Sequence, residues 1–226
     1  MFYLPASDPK DWKRLLADPD KHWRDVYSAK SLAECWQRAN GFPKSVRKIL
    51  ETSQYSQLHD LTFLAGFPEY KVNLPGGSRA SQNDIFVMAS NSDGLISIMI
   101  EGKADEPFGP LVSEWIKHAS NGKKERLSYI LSLLGLVEIN VLPIRYQLLH
   151  RTASAIIESQ RFHCSATLML VHSFSKHNSS FEDYESFVQL LGKQGIVNGV
   201  VGPISINPVP LFFGWLCEKS ILSLPA

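Results

Sequence analysis

Two acidic residues stand where a predicted β-hairpin would bring them together. Apolar, β-branched runs lie on either side of residues 91–94 (Asn-Ser-Asp-Gly), a pattern typical of an antiparallel hairpin with a four-residue loop. In this register Ser90 pairs with Leu95, and Asp84 faces Glu101 further along the strands. Like charges in opposed positions destabilise a sheet unless a cation offsets them. We therefore predict a divalent cation between Asp84 and Glu101.

A lysine follows the second acid at a spacing that suits phosphate chemistry. Lys103 lies two residues beyond Glu101, and alternation along a strand places both side chains on one face. The backbone carbonyl of Gly102, between them, is a candidate third metal ligand. A carboxylate-bound Mg²⁺ supplies a hydroxide at neutral pH and stabilises charge on phosphoryl oxygens. One small region would thus hold two carboxylates and an ammonium.

These residues also resemble a known superfamily. Asp84 followed by Ile100-Glu101-Gly102-Lys103 resembles the active-site signature of the PD-(D/E)xK nuclease-like superfamily, and the stretches 81–84, 101–109 and 145–151 together look like an uncharacterised bacterial family. The resemblance implies a restriction-endonuclease-like αβββαβ core with a mixed sheet. It also implies an acidic pair that binds Mg²⁺, and a lysine that helps to activate water and stabilise charge at the phosphate. On this basis we predict Asp84, Glu101 and Lys103 as catalytic residues, with Mg²⁺ or Mn²⁺ as the cofactor.

A helix predicted after Pro143 carries a second group of candidate residues. Its apolar stripe recurs at helical spacing, and its polar residues recur on the opposite face. On that polar face we predict Gln147, His150 and Arg151 as substrate-binding residues that contact phosphate in the same cleft as Glu101. The alternative for this face is an ordinary solvated helix surface. Asp105 and Glu106 are conceivable residues of a second metal site, but we favour the interpretation that they are solvated acids of a loop.

The remaining elements predict a single α/β domain. Residues 1–56 form a helical N-terminal elaboration, 57–175 the nuclease-like core, and 176–226 a C-terminal extension with an edge strand at 209–216. Residues 60–82 are expected to be irregular or extended. Helices are predicted within 110–136, and a strand buried on both faces at 166–171.

Composition limits the classes of function. The chain has 226 residues, 44% of them hydrophobic, and a formal net charge of +1, which argue against disorder and against nucleic-acid binding through bulk charge. Three widely spaced cysteines suggest neither a disulfide framework nor a zinc cluster, and no signal peptide or membrane-spanning run is apparent. We expect a cytoplasmic protein with no membrane partner. His163 and His172 are expected to be structural.

Two classes of function stay open from the sequence. The first is a Mg²⁺-dependent nuclease or phosphodiesterase that acts on nucleic acid, with DNA favoured over RNA and a homodimer left open. The second is a catalytically silent nuclease-like fold that acts as an interaction protein or binds an anionic ligand. In the first case, replacing Asp84 or Glu101 should abolish metal binding and leave the protein folded.

Overall fold

Short helices form the N-terminal part of the protein. The computed structural model describes residues 8–16, 18–24, 27–206 and 209–218. Asp8 caps the first helix by accepting a hydrogen bond from the Lys10 backbone N–H, with Pro9 at the first helical position. Trp12 and Trp36 of these helices are buried in the core. The helices are a 3₁₀ helix Pro9–Leu15, α1 Pro19–His22, α2 Ser28–Ala39, α3 Lys44–Glu51 and a 3₁₀ turn Ser56–Leu58.

One mixed sheet of six strands forms the centre of the protein, which confirms the α/β class. The strands are β1 Thr62–Val72, β2 Ser81–Asn91, β3 Gly94–Lys103, β4 Ala166–Ser173, β5 Gly199–Ile206 and β6 Val209–Cys217. Their order in the sheet is β1-β2-β3-β4-β6-β5. The first three form an antiparallel meander, β4 is parallel to both β3 and β6, and β5 is antiparallel to β6.

Helices follow the meander and make the crossover that a parallel strand pair requires. They are α4 Val112–Trp115, α5 Asn121–Leu134, α6 Tyr146–Arg161 and α7 Phe181–Leu190. The helices predicted within 110–136 and after Pro143 are confirmed, whereas α7 was not predicted. None of the helices in the described ranges is long and apolar enough to cross a lipid bilayer.

The sheet is covered on both faces. One face packs on α2 and α3, through residues such as Ile98 of β3 and Trp36. The other packs on α5, α6 and α7, where Met169 of β4 joins Leu149 in the core. Every residue of β4 is buried, as the unbroken apolar run in that segment predicts. Burial on both faces therefore stabilises the extended conformation of β4.

The predicted hairpin has the expected register and a shorter turn. Ser90 pairs with Leu95 as predicted, but Asn91 also pairs with Gly94, so the loop has two residues instead of four. The Asn91 carboxamide explains the difference, because its Oδ1 accepts the Asp93 backbone N–H at 2.9 Å. Its Nδ2 donates to two backbone carbonyls before β1. These bonds hold Asn91 as the last residue of β2.

Two strands differ from the sequence-based prediction. Within residues 60–82 the structure has the strand β1, whose signal is interrupted by Gly66 and Pro68. The predicted edge strand at 209–216 is β6, which lies inside the sheet between β4 and β5. Its Pro210 precedes Leu211, the first residue paired with β4, so the missing N–H costs no hydrogen bond on that side. The true edge strand here is β5.

Candidate metal and phosphate site

Asp84 and Glu101 lie side by side on adjacent strands. Ile85 pairs with Ile100, and the two acids are the next residues along β2 and β3. One guanidinium contacts both carboxylates, because Arg151 donates from Nε to Glu101 Oε2 and places Nη2 3.8 Å from Asp84 Oδ1. The two acids predicted from the hairpin register therefore share the neighbourhood of a single cationic group.

Glu101 is the centre of a buried ion network. Only 1% of the residue is exposed. Its Oε1 accepts from Lys103 Nζ at 2.8 Å and from Gln147 Nε2 at 2.5 Å, and its Oε2 accepts from Arg151. Burial raises the pKa of Glu101, but the charges of Arg151 and Lys103 outweigh that effect and lower the pKa below its ordinary value. Glu101 is therefore ionised at neutral pH.

Lys103 is held against both a carboxylate and an aromatic ring. The residue is 4% exposed, and its Nζ lies 4.9 Å from the centre of the Phe108 ring in addition to its bond with Glu101. A cation over a ring face and beside a carboxylate is stabilised by both groups. The lysine amino group is thus fixed in position beside the acidic pair.

Asp84 is in a different electrostatic state from Glu101. Its side chain is 22% exposed, and its Oδ2 accepts the Gly102 backbone N–H at 2.7 Å. Burial and the nearby charge of Glu101 raise the pKa of Asp84 to about 7, although Arg151 and Lys103 oppose this shift. A divalent cation beside Asp84 would favour its ionised form. The Gly102 carbonyl, like its N–H, is directed towards β2, since both groups of a strand residue point to the same side.

A third carboxylate, Glu69, was missed from the sequence. It lies on β1 between the pairs Pro68–Ile85 and Tyr70–Asn83, and so across from Asp84. Burial and the charge of Asp84 raise the pKa of Glu69 to about 8. Its Oε2 accepts from Gln82 Nε2 at 2.7 Å. No pattern in the sequence pointed to Glu69, because β1 itself was not recognised.

The polar face of α6 packs on the meander instead of facing solvent. Gln147 and Arg151 bind Glu101, and the His150 ring contacts Ser81 at the start of β2 with Nδ1 2.8 Å from Oγ. Further along the helix, Glu158 accepts from the Tyr70 hydroxyl at 3.0 Å. The structure thus brings Gln147 and Arg151 to Glu101, and His150 to Ser81 beside them. Their role in binding substrate stays a prediction.

The two acids that follow Lys103 have structural partners away from this site. Asp105 Oδ1 accepts from the hydroxyls of Ser175 and Ser179 at 2.8 and 3.0 Å. Glu106 accepts the Ser28 backbone N–H at 3.1 Å, at the start of α2. Both carboxylates therefore tie loops together. Asp105 is exposed, as predicted for a solvated loop acid, whereas Glu106 is partly buried and accepts from protein donors, so the solvated role is wrong for Glu106.

A second polar cluster lies on the opposite face of the sheet. Ligand atoms of Cys35, His172 and Glu218 lie within 4.8 Å of one another. However, the Trp36 indole N–H donates to His172 Nδ1 at 3.0 Å, and an indole only donates. His172 therefore carries its proton on Nε2, which lies 3.1 Å from Glu218 Oε2.

This tautomer disfavours metal binding at the second cluster. A metal on Nε2 of His172 would require the ring to lose its only proton, since Nδ1 is already an acceptor. Burial also raises the pKa of the Cys35 thiol to about 12, which disfavours the thiolate that a metal needs. We interpret the cluster as a structural hydrogen-bond group, as expected for His172.

Comparison with other proteins places the chain in a family. Neither a curated protein nor a solved structure matches it. One family model, described as a domain of unknown function (DUF6946), matches residues 5–220 and thus nearly the whole length. The chain therefore belongs to the DUF6946 family.

Proposed function

We propose that the protein is a metal-dependent nuclease or phosphodiesterase of the PD-(D/E)xK type. It would hydrolyse a phosphodiester of nucleic acid, with DNA favoured over RNA, by a Mg²⁺- or Mn²⁺-activated water. One observation carries the proposal: Asp84 and Glu101 from adjacent antiparallel strands contact the same cationic group, and Lys103 binds the same carboxylate. The chain order of α2, the β1–β3 meander, α6 and the parallel strand β4 also agrees with the αβββαβ core that the resemblance implies.

The residues divide the proposed chemistry between them. Asp84, Glu101 and the Gly102 carbonyl would hold the cation, which supplies a hydroxide and neutralises charge on the phosphoryl group when bound. Lys103 adds a fixed positive charge at that group. These oxygen donors suit Mg²⁺ and Mn²⁺ better than soft metals.

Arg151 connects metal binding to substrate binding. Its guanidinium now lies between the two carboxylates, where a cation between them would also lie. If Asp84 and Glu101 held a cation, the Arg151 guanidinium would be free for a bidentate contact with phosphate, to which its geometry is suited. Gln147 and His150 lie on the same helix face and would complete the phosphate contacts.

A silent, structural role for the network is the second candidate. Both carboxylate oxygens of Glu101 already have partners, namely Lys103, Gln147 and Arg151. A buried and fully paired carboxylate is also found in networks that only maintain a fold. In that case the protein would act by binding another protein or an anionic ligand.

Metal titration combined with nuclease assays separates the two candidates. Calorimetry with Mg²⁺ and Mn²⁺ should give binding to the wild type, no binding to Asp84→Asn, and unchanged binding to Asp93→Asn, an exposed control in the β2–β3 turn. Single-stranded and double-stranded DNA and RNA are assayed at low salt. Lys103→Met should bind metal and lose about 10²-fold in rate, if its charge contributes about 3 kcal/mol in the transition state. Wild-type protein that binds no metal and cleaves none of these polymers would favour the silent fold.

A further inference from the structure

The protonation state of His150 follows from its neighbours. Nδ1 of the ring lies 2.8 Å from Ser81 Oγ and 3.5 Å from Nη1 of Arg151. A guanidinium only donates hydrogen bonds and always carries a charge. A proton on Nδ1 would point at that cation, so Nδ1 is the acceptor. In the neutral ring the proton therefore lies on Nε2.

Two buried serines reinforce this arrangement. Ser81 Oγ accepts from Arg151 Nη1 at 3.4 Å, which leaves its own hydroxyl proton to donate to Nδ1 of His150. Ser154 Oγ donates to Ser81 Oγ at 2.9 Å, so Ser81 again keeps its own proton for His150; the backbone carbonyl of His150, 2.8 Å from Ser154 Oγ, is the other acceptor for the same Ser154 proton. Ser81 is 4% exposed and Ser154 is fully buried, so water does not compete for these contacts.

The other ring nitrogen of His150 is available to a ligand. Nε2 makes no hydrogen bond among the described residues, and it is not among their buried unpaired atoms, so it reaches solvent. The ring lies against Tyr146 at 4.9 Å between centroids, and Tyr146 stacks on Trp115 at 3.8 Å. These contacts hold the imidazole in one orientation next to Arg151.

We infer that His150 is a neutral hydrogen-bond donor, through Nε2–H, to an oxygen of a phosphodiester, and that Ser81 and Ser154 are positioning residues that fix its tautomer. The inference rests on the proposed function and deepens it. It excludes His150 as the general base, because its unprotonated nitrogen faces Ser81 and Arg151. Burial and the charge of Arg151 also keep the pKa of His150 well below its ordinary value, which agrees with a neutral ring.

Nuclear magnetic resonance of the metal-free protein tests the tautomer independently of activity. Long-range ¹H–¹⁵N spectra of histidine-labelled protein, with the signal assigned by its loss in His150→Gln, should show a neutral Nε2–H ring at pH 7. Ser81→Ala should lower the Nε2–H population, whereas Ser128→Ala, an exposed serine of α5, should leave the spectrum unchanged. A neutral Nδ1–H ring or an imidazolium in the wild type would overturn the inference.

Dimethyl phosphate, a phosphodiester that can be titrated without turnover, tests the donor role. Its addition should shift the Nε2–H signal of His150, and His150→Leu should bind it at least about tenfold more weakly than His150→Gln, whose amide still donates. If nucleic acid is cleaved, His150→Leu should lose about 10²-fold in kcat, as when one donor to an oxyanion is removed.

The outcomes separate this inference from the proposed function. A shifted signal in a protein without nuclease activity supports the donor role and contradicts the enzyme. An active enzyme in which His150→Leu has wild-type kcat and the signal does not shift supports the enzyme and overturns the donor role.

Discussion

At the scale of single residues, Glu101 is both a candidate metal ligand and the partner of two buried basic side chains. From the sequence, replacement of either acid is expected to leave the fold intact. The structure changes that expectation for Glu101, because Lys103 and Arg151 are buried against it. Removing a carboxylate from such a network leaves buried positive charge without a partner. Asp84 is more exposed, so its replacement leaves less buried charge without a partner.

We predict that Glu101→Ala destabilises the protein by about 3–5 kcal/mol, the usual cost of breaking a buried ion pair. Asp84→Asn should cost about 1 kcal/mol or less, since the amide oxygen still accepts the Gly102 N–H and the side chain is partly solvated. Urea denaturation of both variants measures the difference. Equal stability of Glu101→Ala and wild type would show that Lys103 and Arg151 do not depend on this carboxylate.

At the scale of elements, the loop between β1 and β2 is fixed against the start of α5. The Arg126 side chain of α5 donates to the backbone carbonyls of Leu74, Pro75 and Gly77. Gly76 has a φ of +76°, and a Cβ there would lie 2.1 Å from the carbonyl oxygen of Gly122. This loop leads into β2, and the first residues of β2 include Ser81 and Asp84 of the site. Its close packing therefore helps to position the site.

We predict that Gly76→Ala is much more destabilising than Gly109→Ala. Both glycines have positive φ, but a Cβ at Gly109 meets nothing within 4 Å. Gly109→Ala should cost about 1–2 kcal/mol for the left-handed backbone. Gly76→Ala should cost a further ~1–3 kcal/mol, because the clash is with backbone atoms. Thermal unfolding compares the two variants, and equal costs would mean that the loop moves away from α5 freely.

At the scale of the whole molecule, polar clusters lie on both faces of one sheet. The site lies on the α6 side, and the His172 cluster lies on the side of α2 and α3. His172, on β4, binds Trp36 of α2 through one nitrogen and Glu218, just after β6, through the other. Ser45 of α3 also donates to that carboxylate. This cluster therefore joins the N-terminal helices to the end of the last strand.

We predict that His172 makes the protein less stable as the pH falls below about 6.5, the ordinary pKa of histidine. Burial lowers the pKa of His172 in the folded state, so the unfolded chain binds its proton first. Stability then rises with pH in this window, with a slope of at most about 1.4 kcal/mol per pH unit for one group. Denaturation of wild type and His172→Gln between pH 5 and 8 measures this slope.

Replacing His172 also removes the hydrogen bond that lowers the pKa of Glu218, so the comparison measures His172 together with its effect on that carboxylate. The pKa values of Asp84 and Glu69 are raised in the folded protein, so these acids keep protons at a pH where the unfolded chain has lost them. Their contribution therefore lowers the stability as the pH rises, which is opposite to the effect of His172. Both acids are present in both proteins, so their contribution cancels in the difference. Parallel stability curves below pH 6.5 would contradict the assigned role of His172.

The sequence alone determined the features that depend on local periodicity. The β2–β3 register followed from the position of the turn and the alternation of side chains, and it placed Asp84 across from Glu101. The spacing of apolar residues placed α6 and its polar face, and an unbroken apolar run placed β4. In each case neighbouring residues along the chain carry the whole signal, since a turn or a helical face is set within a few residues.

Only the tertiary structure decided which distant residues meet. Glu69 joins the acidic residues because β1 pairs with β2, and Arg151 bridges Asp84 and Glu101 because α6 lies across the meander. The interior position of β6 likewise depends on its pairing with β4 and β5. These contacts are made between segments far apart in the chain, and burial and charge pairing select them only when the whole core is assembled. The periodicity of one segment therefore does not predict which distant segment it will contact.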